Sequence, residues 1–309
     1  MPQLTRKRLL LAKIEVTYGE DPTPESTNAI LVRNLDITPL QSDIVQRELI
    51  RPYLGNYEQL LAQTRVQVTF EVELAGSGTA GTAPAYGPVL RACGLSQALD
   101  ATTVTYVPLS SNFASVSLYF FQDGIRHRVT GARGSFTLNA AVGAIPTIAF
   151  EMTGIYNAPT TPTAVVPTYG NQATPLIFKN GNTTSFSAFG YAAALQSIDL
   201  NMSNEIIYRE LVGGTKEVLI TDRKPSGTLQ IESPALATKD YFTTSTGNTL
   251  GSITFQHGTA AGNRATLTMA QADLADVSYA DMNGIQMLNL PYVATPTAAG
   301  NDELTLVFT

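Results

Sequence analysis

Residues 131–156 read GARGSFTLNAAVGAIPTIAFEMTGIY. Apolar and polar residues alternate from Phe136 through Leu138 and Ala140 to Val142, turn at Gly143–Pro146, and alternate back through Ile148, Phe150, Met152 and Gly154. Period two on both sides of a Gly/Pro turn predicts a β-hairpin with one buried face. It holds no His or Cys and a single acid, Glu151.

The same signal recurs outward. Val66–Leu74 places Val66, Val68, Phe70, Val72 and Leu74 on one face and Gln67, Thr69, Glu71 and Glu73 on the other. Val116–Phe121 runs through Asp123-Gly124 into Ile125–Val129, and Asp-Gly between alternating runs marks a tight hairpin. Ser252–Gln256, Ala265–Met269, Gly284–Leu290 and Glu303–Phe308 also read as strands. Helical signals are few. Pro84–Ser96 predicts a short helix stopped at Gly94, and Ser233–Thr243 predicts another with Pro234 in its first turn. The chain is therefore mainly β.

An ordered series of matches suggests an internal repeat. Leu35-Asp36-Ile37-Thr38 resembles Ile198-Asp199-Leu200-Asn201, and Arg47-Glu48-Leu49 recurs as Arg209-Glu210-Leu211. Val68, Phe70 and Glu71 match Leu229, Ile231 and Glu232; a short helix follows in each half; Tyr156 to Pro159 answers Tyr292 to Pro296. The reading is two tandem β-sandwich domains, 1–160 and 176–309, joined by a Pro/Thr-rich linker at 161–175.

Composition narrows the function. Of 309 residues, 14% are charged and the net charge is −6. A low charge fraction suggests surface covered by a partner. The acidic balance argues against tight nucleic-acid binding, which needs clustered Lys and Arg. One cysteine, Cys93, allows no internal disulfide. No apolar run approaches the roughly 20 residues of a membrane span, and Lys13 and Glu15 interrupt the one leader-like stretch, so the reading is of a chain made in a cytoplasm, with no membrane partner.

Chemistry finds little footing. Gly76-Ser77-Gly78-Thr79-Ala80-Gly81 fits G-x-G-x-x-G, but no helix opens at once and no βαβ pattern surrounds it. His127 and His257 lie near turns without metal-ligand spacing, so exposed loop histidines are expected there. No nucleophile elbow is present. Neither a catalytic residue nor a cofactor or metal site is expected, and the protein reads as a non-enzyme.

Two long excursions, Gln41–Thr64 and Ser203–Arg223, interrupt the strand pattern, and loops of roughly 20 residues in a compact domain need a reason. Their large apolar groups suggest docking on another subunit, with charges fixing register. Ile44, Arg47, Glu48, Arg51 and Tyr53, with Ile206, Tyr208, Arg209 and Glu210, are the candidate assembly residues.

The run from Gly131 to Leu138, its proline turn, and Phe150-Glu151-Met152-Thr153-Gly154-Ile155-Tyr156 resemble the late hairpin of the major tail tube proteins of long-tailed, siphovirus-type bacteriophages. Pro88 to Leu95 is similar to the short helix of those proteins, as is Arg6-Lys7-Arg8-Leu9-Leu10 with Tyr18-Gly19 to their start; the likeness is strongest over 1–160. It implies a virion protein, assembled in the host cytoplasm, whose inner sheets join into a ring-wide barrel and whose rings stack into a hollow tail tube. A duplicated chain implies a homo-oligomer with trimeric rings of pseudo-sixfold symmetry. Expected partners are a tape measure protein, tail-end proteins, and double-stranded DNA that passes during ejection without tight binding. The polar faces with Gln67, Thr69, Glu71 and Glu73, and Gln230 and Glu232, would face the lumen. The alternative is a virion-associated two-domain adhesion or receptor-binding module.

Overall fold

The computed structural model describes residues 3–309. In the first half, strands run Arg8–Ile14 (β1), Ala29–Ile30 (β2), Arg33–Gln46 (β3), Gln59–Glu73 (β4), Ala98–Leu99 (β5), Val104–Tyr106 (β6), Val116–Gln122 (β7), Ile125–Ala141 (β8) and Thr147–Tyr156 (β9). In the second they run Thr183–Ala188 (β10), Leu195–Asn201 (β11), Asn204–Glu210 (β12), Lys216–Arg223 (β13), Ser226–Glu232 (β14), Gly251–His257 (β15), Ala265–Leu274 (β16), Ser278–Met282 (β17), Ile285–Ala294 (β18) and Thr305–Phe308 (β19). Two short helices, Gly87–Ala92 (α1) and Tyr241–Thr246 (α2), complete a mainly β chain.

The opening hairpin forms as its alternation predicts. β8 and β9 pair antiparallel from Arg133↔Thr153 to Asn139↔Thr147, and β9 pairs in turn with β4 from Arg65↔Ile155 to Glu73↔Thr147. The apolar face of these three strands is buried, with the Phe150 ring flanked by Phe70 at 5.3 Å and Phe136 at 6.2 Å, both tilted against it. Burying each such side chain contributes roughly 1.5–3 kcal/mol. Against them, in the same core, pack Leu10 and Ala12 of β1 and Leu118 and Phe120 of β7. The result is a β-sandwich. Val142, expected on the apolar face, instead lies in the turn and is exposed.

β7 turns into β8 through Asp123 and Gly124, both at positive φ (37° and 94°), the conformation a two-residue hairpin needs. β8 then shifts register between Thr130 and Arg133, with Gly131 at φ 59°. Beyond this bulge β7 has ended, and the edge of β8 that faced it is open. β11 takes that edge: Ser197↔Ala141 through Leu200↔Leu138 to Asn201↔Thr137. β11 pairs next with β14, and β14 with β18, which also carries β17. One sheet thus runs β3-β4-β9-β8-β11-β14-β18-β17 across both halves. β3 and β17 end it, each paired on one side only among the described residues.

The second helix differs from expectation. It starts at Tyr241, because the Asp240 carboxylate accepts from the Thr243 N–H at 2.9 Å and caps it there. Residues 236–238 form a turn, with Leu236 exposed. The 161–175 stretch holds no strand or helix and lies along the first half, where the Thr168 N–H donates to the Ser26 carbonyl.

Candidate assembly interface

Cross-strand partners in a sheet share a face, so the ladders show where the polar residues lie. Thr69 pairs with Glu151 and Glu151 with Ser135. Glu73 pairs with Thr147, Thr147 with Asn139, and Asn139 with Asp199 across the β8–β11 junction. Ser197 pairs with Gln230 and Gln230 with Asn289. Gln67, Thr69, Glu71 and Glu73 therefore share one polar face with Gln230 and Glu232. Gln67 bonds Glu151, and the Gln230 amide donates to Asn289 Oδ1 at 3.1 Å. Arg33 pairs with Glu71 at 3.2 Å, and burial pushes the Asp199 carboxyl up. Acids outnumber bases on this face.

The excursions are two-stranded arms. In the first, β3 and β4 run on past the sandwich, pairing Ile44↔Leu61 and Gln46↔Gln59, and Arg47 forms an ion pair with Glu58. Arg51 stacks on Tyr53 at 4.7 Å and on Tyr57 at 4.3 Å, and donates to the Asn56 carbonyl. Ile44, Leu49, Ile50, Tyr53 and Leu54 are more than half exposed, and Glu48 is exposed too.

The second arm, β12 with β13, carries the ion pair Arg209–Glu217 and lies on the first half of its own chain. Val218 and Ile220 are its buried residues; their cross-strand partners Tyr208 and Ile206 are half-buried. The Val218 N–H donates to Tyr18 Oη at 2.6 Å, and its carbonyl accepts from Arg133 Nη1 at 2.7 Å. Arg133 also donates to the Phe113 and Ala114 carbonyls and stacks on the Tyr18 ring at 4.7 Å. Burial raises the Tyr18 hydroxyl and lowers the Arg133 guanidinium, and the two hold the N–H and the carbonyl of one residue, Val218. Burial, then Glu210, pushes Tyr208 up to about 12.

At the arm's base the Asn204 amide donates to the Cys93 and Gly134 carbonyls at 2.7 and 2.9 Å. Arg223 reaches Glu303 at 2.8 Å and Asn301 at 2.8 Å, in a site where their side chains are 13% (Arg223) and 8% (Glu303) exposed. Tyr18, Arg133, Asn204, Arg223 and Glu303 hold the arm. None stands out in sequence, since each works with partners 70–200 residues away.

The motifs that imitate chemistry have structural uses. Gly76 donates its N–H to Asn263 Oδ1 at 2.9 Å, and Gly78 to the Gly262 carbonyl at 2.9 Å. A Cβ at Gly76 would collide with that carbonyl, so the glycines let two backbones interlock. His257, expected in an exposed loop, is buried: it bonds Thr183 Oγ1 and the Leu176 carbonyl and stacks on Phe178 at 5.7 Å, and burial lowers its pKa. His127 sits within β8 against Phe120, half-buried. Cys93 is buried beside the Met152 sulfur at 3.8 Å, and burial pushes its thiol up. Among the described residues no His, Cys, Asp and Glu side chains gather in a metal-binding group, and no helix is long and apolar enough to cross a membrane.

Compared with known protein families, residues 5–309 match the phage tail tube protein family. The chain belongs to that family. No curated protein sequence gives a significant match. As a tail tube protein it is a structural component of a virion tail, a place in an oligomeric assembly. The match spans both halves and both arms, so the second half, where the motifs of the first are weaker, lies within the same family pattern.

Proposed function

We propose that this tail tube protein is a duplicated subunit whose two halves occupy successive places in one ring. Copies join edge to edge, rings stack, and the resulting tube carries double-stranded DNA during ejection. The observation that supports this is the β8–β11 junction. There β8, the hairpin strand of the first half, pairs with β11 of the second, and β17 and β3 are left open at the two ends. In the repeat, β17 stands for the end of β8, and β3 for β11. Pairing β17 with the β3 of a second copy continues the sheet, and an edge strand so paired is no longer an aggregation hazard. Three chains with two places each give a trimeric ring of pseudo-sixfold symmetry.

The polar face then turns to the bore. DNA carries a charge about every 1.7 Å of axis, and lysines repeated along a tube would hold it by counterion release. The β4 and β14 segments that supply Thr69, Glu71, Glu73, Gln230 and Glu232 contain Arg65 as their one base, midway along β4 and paired with Asp43. DNA therefore slides. Tape measure and tail-end proteins complete the assembly by resemblance to the family.

Negative-stain microscopy of the purified, concentrated chain is the test. Long filaments of uniform diameter are expected. A discrete oligomer with saturable binding to a glycan would point to an adhesion module and overturn the proposal.

A further inference from the structure

The first arm has a face but no seat. Aligned on the ion pairs Arg47–Glu58 and Arg209–Glu217, the pair Ile44↔Leu61 falls on Ile206↔Ile220, and Gln46↔Gln59 on Tyr208↔Val218. Ile220, docked in the chain, is 9% exposed; Leu61, its counterpart, is 55% exposed. Beneath Ile220 lies the end of α1: a Cβ at Gly94 would stand 3.4 Å from Ile220 Cδ1 and 3.6 Å from the Phe113 ring.

The second half offers a surface of the same build. Gly247 ends α2 as Gly94 follows α1, and Leu250 leads into β15 as the Phe113 loop leads into β7. Leu250 is exposed, and so is Tyr279 of β17, whose ring rests on Phe242 at 5.5 Å. This patch adjoins β17, the open edge, just as the seat of the second arm adjoins β8. The first arm in turn grows out of β3, the opposite open edge. A copy that pairs its β3 with β17 of its neighbour thereby brings its first arm to that patch.

We propose that the first arm of each copy docks on the α2–β17 surface of the adjacent copy, with Leu61 seated at Gly247 and Leu250 and Gln59 near Ser278. The proposal rests on the ring reading above and adds the partner site of the arm. It places the contact within a ring, side by side, in the manner of the second arm.

Paired cysteines test it in the full chain. Leu61→Cys with Leu250→Cys, and separately Gln59→Cys with Ser278→Cys, are concentrated and oxidised with diamide. Cys93, buried in the core, is a silent background. Non-reducing electrophoresis should show bands at two and three times 33.0 kDa for each double variant and monomer alone for each single one. Filaments that form while both double variants stay monomeric overturn the arm's seat and leave the ring reading standing. A wild-type chain that never assembles overturns the ring reading and the seat with it.

Discussion

The arms at 41–64 and 203–223 carry the same ion pair at the same place, yet one is clamped and the other stands clear of the sandwich. The second has Tyr18 and Arg133 on the N–H and carbonyl of Val218, and Arg223 anchored on Glu303. The first has contacts within itself, its strand pairing, its ion pairs and Arg51 on its tyrosines, and leaves its apolar groups in water. Equal build with unequal burial separates what a hairpin can do alone from what a seat adds. A two-stranded ribbon is marginal by itself, and the stability of the second arm comes from the surface beneath it.

That contrast can be broken in four ways. Deleting Arg47–Asn56 should abolish filaments while the chain keeps wild-type far-UV circular dichroism; filaments of normal length would show the first arm has no part in assembly. Arg223→Ala leaves Glu303 buried without its partner and should cost about 3 kcal/mol in urea denaturation of the unassembled chain. Arg47→Ala removes an exposed ion pair and should cost under about 1 kcal/mol. Val218→Ala should cost about 2 kcal/mol, against under about 0.5 kcal/mol for Leu61→Ala in the free arm. Equal costs in either comparison would mean that the first arm is already packed. Glu71→Lys with Glu232→Lys should cost no more than about 1 kcal/mol, since both stand on the polar face and the Arg33–Glu71 pair that the first change breaks is largely exposed. Assembled particles should still form, and DNA ejection should slow in a way that salt relieves. Unchanged ejection kinetics would place the face off the DNA path.

What could be read from the sequence follows the range of the physics. The β4 alternation, the Asp123-Gly124 turn and the Gly94 stop of α1 are local effects, and each falls where its signal lies. The Asp240 cap is local too, but Pro234 offers a competing start and obscures it. The arms defeat periodicity for a different reason: Ile44 and Val45 are adjacent, so both faces of the ribbon are apolar and no single period emerges. The polar face was legible strand by strand. Its continuity was not, because the bulge at Gly131 that frees the edge of β8 for β11 depends on where β7 ends. The clamp residues were illegible altogether. Tyr18 and Val218 lie 200 residues apart, and nothing near either foretells the other.

The β8–β11 junction has a kinetic side. Its two strands are tethered, so they meet at an effective concentration set by the intervening chain, of order millimolar for a short flexible tether. That joint closes as the polypeptide folds, whatever the amount of protein present. Only the β17-to-β3 joint must wait for a collision between copies. In the proposed ring, half of the joints are thus independent of dilution. A three-body closure replaces a six-body one, which flattens the concentration dependence of nucleation and lets tubes start where a single-place subunit would remain dispersed.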